Sequence, residues 1–348
     1  MNKKLYYRVS ELQSSAITKI KSKEVFVKGA SFGFKTSSPY ISTRIGYSTG
    51  IYSYYGQGKT QILIEQLVHL SKCKGWKHVV WLTESGRKDE LISDIIQTYM
   101  GINFSNPSNA VTDEDLINAY IWADQYFYVI DHEVKLMNIR DIYEITSQIE
   151  RDEKVKINTV SIDNATNLAR ERSTSTFMIH EYMNYMMSAI NRTSMLKQYH
   201  TFILFHVGKP EKMLEKDGIK VLPPPSVFNI VGGQMTNFLG YNLFGVYRPI
   251  KSEEQYGFIN PQTGIPYDRN ETVIIVEKSK PKGVGTEGQF SLFFDKSRSK
   301  FYENIHGKRY YSGDYYNEYG ENKTSSDQVN TPSMKPSTDF DDSVESPF

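Results

Sequence analysis

Residues Ser48–Leu67 have the sequence STGIYSYYGQGKTQILIEQL, and this stretch decides the predicted fold. It begins with an apolar, β-rich run, continues through a turn that contains Gly56 and Gly58, and ends in a run with helical spacing of its apolar residues. A turn between a strand and a helix binds phosphate well, because backbone N–H groups and the helix N-terminus converge on the anion. The stretch therefore predicts a phosphate-binding loop.

The turn matches the pattern G-x-x-x-x-G-K-[ST] except at its first position, where Ser53 replaces glycine. Ser53 lies where the strand enters the turn, a position less tightly constrained than the glycine before the lysine. In this pattern the lysine contacts the β- and γ-phosphates, and the hydroxyl group after it holds Mg²⁺. We therefore expect ATP and Mg²⁺ as ligands. The predicted nucleotide-binding residues are Gly56, Gln57, Gly58, Lys59, Thr60 and Gln61.

The composition is that of a soluble globular protein, with 39% hydrophobic and 23% charged residues among 348. Because 41 Lys and Arg residues balance 40 Asp and Glu residues, a binding site for a polyanion has to be a local patch. Cys73 is the single cysteine, which excludes an internal disulfide bond and a cysteine zinc site. The histidines lack metal-ligand spacing, so no protein-held transition metal is expected. Without a secretory signal or a run of 18 apolar residues, the sequence predicts a cytoplasmic protein with no membrane partner.

Short apolar strands alternate with helical segments through most of the chain, which favours an α/β fold with a mainly parallel sheet flanked by helices. The predicted strands are GIYSY (50–54), HVVWLT (78–83), YFYVID (126–131), INTVSID (157–163) and HTFILFH (200–206). Residues 241–295 are rich in strands with little helix, which predicts antiparallel strands added at one edge. We predict a lead-in or clasp segment over residues 1–45, an ATPase domain over 46–310 and a disordered acidic tail over 311–348.

Three further strand ends carry residues suited to ATP hydrolysis. Asp163 ends the strand VSID and is a candidate second Mg²⁺ ligand, although an Asp that caps a turn is an alternative. Glu84 follows the strand VVWLT and is a candidate general base for the attacking water, unless it is only a solvated loop residue. His206 follows the strand FILF. It is either a structural histidine or a residue that senses the γ-phosphate.

With these strand ends in this order, the chain resembles the RecA-like ATPase domain of replicative helicases. The most similar branch is the DnaB type, especially Twinkle-like helicases and the helicase half of phage primase–helicases. The resemblance covers about residues 30–305. It rests on the segments SYYGQGKTQ, VVWLTESG, VSIDNATNL, FILFHVGKPEK and NIVGGQMTNFLGYNLFGVYRP. The last segment resembles a Gly-rich stretch of the family, with Gly232 and Gly233, that leads into a strand ending at Arg248.

The resemblance implies a ring, usually a hexamer, with ATP bound between neighbouring subunits and loops that contact one DNA strand. The implied DNA-contacting residues are Lys209, Lys212 and Lys216 after His206, and Arg170 and Arg172 after Asp163. Ordinary solvated loops are the alternative. The family also inserts an arginine into the neighbour's site from a K-x-R pattern, but here Lys280 follows Lys278 where arginine is expected. Lysine lacks the bidentate fork of arginine, so either Lys280 serves this role or Arg248 does.

The last ten residues, DFDDSVESPF, contain four acids, no base and a terminal aromatic residue. They resemble the acidic tip of bacterial single-stranded-DNA-binding proteins, which docks onto replication partners. The alternative is a tail that only improves solubility. The predicted docking residues are Asp341, Asp342, Pro347 and Phe348.

The expected function is an ATP-dependent DNA helicase or translocase of phage or bacterial replication, acting on single-stranded DNA. Two rivals stay open. One is a RecA-like recombination ATPase that forms filaments on single strands. The other is a nucleotide-dependent scaffold that recruits replication partners through its tail.

Overall fold

The computed structural model describes residues 8–9, 13–22, 29–107, 109–210, 212–230, 241–261, 263–281 and 285–319. The predicted Gly-rich residues Gly232 and Gly233 lie outside these ranges, as does the whole predicted docking tip at 339–348.

Seven α-helices and fourteen strands make up the secondary structure of these ranges. The helices are α1 (Gln13–Lys21), α2 (Lys59–Lys74), α3 (Lys88–Met100), α4 (Asp113–Tyr126), α5 (Ile139–Asp152), α6 (Ile179–Lys197) and α7 (Asp314–Tyr319). The strands are β1 (Ala30–Ser31), β2 (Ser42–Thr43), β3 (Ser48–Ser53), β4 (His78–Leu82), β5 (Phe127–Val129), β6 (Thr159–Asp163), β7 (His200–His206), β8 (Leu214–Lys216), β9 (Ile219–Val221), β10 (Asn242–Tyr247), β11 (Glu271–Lys278), β12 (Gly288–Asp295), β13 (Lys300–Ile305) and β14 (Lys308–Tyr311).

Ten strands form one sheet in the order β14-β13-β12-β11-β10-β3-β7-β6-β4-β5. The six strands from β10 to β5 are parallel to their neighbours, whereas β11 to β14 are added in antiparallel fashion beyond β10. The predicted α/β fold with antiparallel strands at one edge is therefore confirmed.

Helices cover both faces of the parallel part, because successive strand residues point to opposite faces. On β3, Ile51 packs with α2 and α3 on one face, while Tyr52 packs with α5 and α6 on the other. On β7, Phe202 and Leu204 lie on the first face and alternate with Ile203 on the second. The strands read as continuous apolar runs for this reason. No helix in the described ranges is long and apolar enough to cross a lipid bilayer.

Helix ends follow local capping signals in the sequence. Thr112 and Asn138 cap α4 and α5 and accept the backbone N–H groups of Asp115 and Asp141. Each of these two aspartates bonds back to the N–H of its cap, which satisfies another backbone donor at the helix start. α2 ends at Gly75, whose φ of 64° is the left-handed conformation that favours glycine.

The segment before the phosphate loop packs onto the same core. Phe32, Phe34 and Ile41 are buried in the cluster that holds α2. The backbone N–H groups of Lys35 and Thr36 donate to the Glu303 carboxylate, both at 2.8 Å. At the other end of the domain, β14 and α7 lie across the predicted boundary at 310/311. The three-part domain division stays a prediction.

Candidate active site

The candidate residues meet because parallel strands end at the same edge of the sheet. Ser53 at the end of β3 pairs with His206 at the end of β7, and Leu82 at the end of β4 pairs with Asp163 at the end of β6. The chain passes from β3 to β4 over the positions that β7 and β6 later fill. Ligands bind at such a crossover point, beyond the carboxyl ends of the strands.

The phosphate loop depends on two glycines in the left-handed region, with φ of 68° at Gly56 and 90° at Gly58. A Cβ atom on Gly58 would meet no heavy atom within 4 Å, so the backbone conformation and not crowding explains this glycine. Gln57 is buried, and its Oε1 accepts the backbone N–H of Arg248. This contact fastens the loop to the end of β10.

Lys59 is the first residue of α2 and is buried beside the candidate catalytic residues. Its Nζ lies 3.2 Å from Nδ1 of His206. Burial lowers the pKa of the Lys59 ammonium, and the nearby carboxylates of Asp163 and Glu84 offset part of this effect. Because an ammonium group can only donate, Nδ1 of His206 accepts this bond and its Nε2 carries a hydrogen.

The residues predicted to hold Mg²⁺ are in contact. Thr60 Oγ1 donates to Asp163 Oδ2 at 2.6 Å. Asp163 is fully buried, and burial raises the pKa of its carboxyl to about 6 against the opposing bond from Thr60. Its second oxygen, Oδ1, is buried without a hydrogen-bond partner. A hydroxyl and a carboxylate oxygen in need of a partner fit Mg²⁺, a hard cation that prefers oxygen ligands.

Glu84 lies on the far side of His206 from Lys59. Its Oε1 accepts from His206 Nε2 at 2.5 Å and from Asn164 Nδ2 at 2.7 Å. Burial acts to raise the pKa of Glu84, but the hydrogen bonds from Asn164 and His206 outweigh burial, and the net pKa is lowered. Glu84 is therefore an ionised acceptor at the edge of the phosphate site.

Asn164 and Lys251 are site residues that the sequence analysis missed. Asn164 follows Asp163 directly, and this adjacency was the available signal. Lys251 Nζ donates to the backbone oxygen of Tyr55, in the phosphate loop, at 3.1 Å. Four residues after β10 ends, it lies too far from the other motifs in sequence to be recognised.

Two predicted groups lie away from the phosphate loop. Gln61 donates to Thr98 Oγ1 and to the backbone oxygen of Ser299, so its side chain is directed toward α3 and the turn before β13. Lys278 pairs with Leu243 near the start of β10, at the end of the sheet opposite the loop. Burial, and then the positive charge of Lys280, lower the pKa of Lys278 to about 8.

The predicted DNA-contacting residues lie on surface segments that continue from the site. Lys209, Lys212 and Lys216 are exposed, and Lys216 lies on the hairpin formed by β8 and β9. Arg170 is exposed and donates to the backbone oxygen of Phe177 at 2.7 Å. Arg172 begins a short 3₁₀ turn.

The chain has the fold of the RecA-like ATPase domains of DnaB-like replicative helicases. One such ATPase domain matches with a TM-score of 0.64 at 16% identity, covering 85% of this chain and 98% of the other. A DnaB-like replicative helicase, whose structure also concerns its interactions with primase, matches with a TM-score of 0.61 at 15% identity and coverage of 85% and 67%. The RadB recombinase reaches a TM-score of 0.44 at 12% identity, covering 77% of this chain and 97% of the other. No protein-family model and no curated protein sequence matches the chain.

Proposed function

We propose that the protein is an ATP-dependent DNA helicase or translocase that acts on single-stranded DNA during replication. The observation that carries the proposal is the convergence of Lys59, the Thr60–Asp163 pair and the His206–Glu84 pair on one edge of the sheet. The fold of DnaB-like helicase ATPase domains supports the same function.

Each residue has a defined task in hydrolysis. The Lys59 ammonium stabilises the charge of the β- and γ-phosphates. Thr60 and Asp163 hold Mg²⁺, which neutralises charge on the phosphates when bound. Glu84 takes a proton from the attacking water while the water oxygen bonds to the γ-phosphorus. The bond from that phosphorus to the β–γ bridging oxygen breaks, which leaves ADP and inorganic phosphate.

Coupling to DNA requires that the hydrolysis site and the DNA grip share a rigid connection. His206 leads into the segment with Lys209 and Lys216, and Asp163 leads into the segment with Arg170. Exposed Lys and Arg side chains bind the phosphates of a nucleic acid strand without reading its sequence. The two segments are therefore the proposed DNA contacts.

The proposed assembly is a ring in which each nucleotide lies between two subunits. Lys278 and Lys280 lie at the sheet end remote from their own phosphate loop, and Lys280 N–H donates to Asn242 Oδ1 at 3.4 Å. β3 rises about 3.3 Å per residue over its six residues, so a basic finger at this end acts on a neighbouring subunit. Docking of replication proteins by the acidic tail, through Phe348, belongs to the same proposal.

The deciding experiment is an ATPase assay with and without single-stranded DNA, with negative-stain electron microscopy of the same samples. A helicase or translocase gives DNA-stimulated turnover and closed rings. Open filaments on DNA would favour a recombination ATPase instead. Nucleotide binding without DNA-stimulated turnover, together with a Glu84→Gln variant that keeps its function, would favour a scaffold.

A further inference from the structure

The carboxylate of Glu84 is restrained by two donors on one oxygen. Asn164 Nδ2 and His206 Nε2 both donate to Oε1, at 2.7 Å and 2.5 Å. Asn164 is buried, whereas a quarter of the Glu84 side chain is exposed. Two donors fix the carboxylate in place and reduce its basicity, because they stabilise the ionised form. The structure therefore holds the proposed base in an arrangement that weakens it.

The orientation of the Asn164 amide is set by its own turn. Asn164 Oδ1 accepts the backbone N–H of Thr166 at 2.6 Å and the Thr166 hydroxyl at 2.5 Å. Both of these groups are donors here, so the oxygen of the amide faces Thr166 and the NH₂ group faces Glu84. Asn164 is thus a donor to Glu84 because of local sequence, and not as an arbitrary choice between two amide orientations.

Each of the two donors is the first residue of a surface segment. Asn164 follows β6 and leads through Thr166 toward Arg170. His206 is the last residue of β7 and leads toward Lys209 and the β8–β9 hairpin. These are the two segments proposed to contact DNA. A shift of either segment is transmitted first to the residue that restrains Glu84.

We propose that Asn164 and His206 form a latch that restrains Glu84 until single-stranded DNA engages the segments that follow them. The latch rests on the proposed function, since it takes Glu84 as the base and these segments as the DNA contacts. Asn164 is a positioning residue in this scheme. Binding of DNA withdraws the two donors, and the freed carboxylate then accepts the proton of the attacking water.

The test is the Asn164→Ser variant, assayed for ATP hydrolysis with and without single-stranded DNA. A serine hydroxyl keeps the turn by accepting the Thr166 N–H, but it is too short to reach Glu84. A hydrogen bond to a charged group changes an equilibrium by a factor of about ten. We expect DNA-independent kcat to rise by up to this factor, with little change in DNA-saturated kcat or in KM for ATP. The stimulation by DNA falls accordingly.

The matched control is Thr166→Val, which removes one donor to Asn164 but leaves the Asn164–Glu84 bond, and which should keep the stimulation factor of the wild type. If Asn164→Ser does not fold, Asn164→Asp keeps the side-chain volume and the acceptor for Thr166 while removing the donor, and the same loss of restraint is expected. A parallel fall of basal and DNA-saturated kcat, or an unchanged stimulation factor, overturns the latch alone. A wild-type protein without DNA-stimulated turnover overturns the latch and the proposed function together.

Discussion

Ser53 ends β3 and is fully buried, and its hydroxyl donates to the backbone oxygen of Tyr54 at 2.7 Å. Its own backbone oxygen accepts the N–H of Val207 at 3.0 Å, as part of the sheet. A residue in extended strand geometry does not need the conformational freedom of glycine. The left-handed positions come later, at Gly56 and Gly58. Serine at the first position of the phosphate-loop pattern is therefore compatible with this fold.

The same scale gives a direct test of the phosphate loop through Lys59→Ala. The variant removes the buried ammonium that lies between the loop and His206. Loss of a preorganised charge stabiliser commonly lowers kcat by a factor of about 100 or more. We expect a loss of this size in steady-state ATP hydrolysis. Lys74→Ala, at the far end of the same helix α2, is the control that should keep near-normal turnover. Turnover retained in Lys59→Ala would contradict the assignment of the loop.

At the scale of elements, the sequence allowed prediction of those features that depend on local pattern. The strand series and the amphipathic α2 follow from apolar spacing, and the bounds of β7 match the predicted segment HTFILFH. The role of Asn164 was not predictable, because it depends on an amide orientation set by Thr166 and on the pairing of β6 with β4. The direction of the Gln61 side chain likewise depends on packing against α3.

The β8–β9 hairpin is the element whose contribution to DNA binding is the most readily measured. Lys212 and Lys216 are exposed, whereas Lys220 pairs with Glu215 at 3.4 Å. Each phosphate contact on a single strand contributes about 0.7 to the slope of log K against log salt. Replacing Lys212 and Lys216 by alanine should therefore reduce the slope by about 1.4 and weaken binding to all sequences similarly.

Lys220→Ala is the matched control for the hairpin, because its charge is already paired within the element. Fluorescence anisotropy with a labelled oligonucleotide at several salt concentrations measures the slopes. The double variant should also lose DNA-stimulated ATP hydrolysis at low DNA concentration. Equal slopes for the double variant and the wild type would mean that the hairpin does not contact DNA.

For the molecule as a whole, a buried carboxyl links the phosphate-loop helix to the antiparallel edge. Glu65 on α2 is buried, and its Oε2 accepts the Phe301 N–H of β13 at 3.3 Å. Burial raises the pKa of Glu65 to about 7, partly opposed by the charge of Lys300. Because the ordinary pKa is 4.5, the unfolded chain releases this proton at lower pH than the folded chain does. Stability therefore falls as the pH rises from about 4.5 to about 7.

Glu65→Gln removes this titration and keeps an acceptor for the Phe301 N–H. The variant should exceed the wild type in free energy of unfolding by at most about 3 kcal/mol at pH 8, with the difference vanishing near pH 4.5. Chemical denaturation across this pH range measures the difference. A constant offset between the two proteins at every pH would show that Glu65 titrates normally in the folded state.

Assembly is the last property of the whole molecule that the geometry addresses. Lys280 is exposed at the sheet end opposite the phosphate loop of its own chain, whereas Lys59 lies at the loop. If active sites form between subunits, a Lys59→Ala subunit still supplies Lys280 to a neighbour. A Lys280→Ala subunit still supplies an intact phosphate loop. Each variant alone should be inactive or nearly so, because every site in its ring lacks one of the two lysines.

Mixing the two variants should restore ATP hydrolysis, because some interfaces then combine an intact loop with an intact finger. With random mixing of equal amounts, one interface in four is complete, so about a quarter of wild-type turnover is the upper bound if interfaces act independently. Turnover measured against the mixing ratio should peak near equal amounts. A mixture no more active than the average of its two components would mean that Lys280 does not act across a subunit interface. Arg248, whose backbone is fastened to the loop through Gln57, would then be the residue to test next.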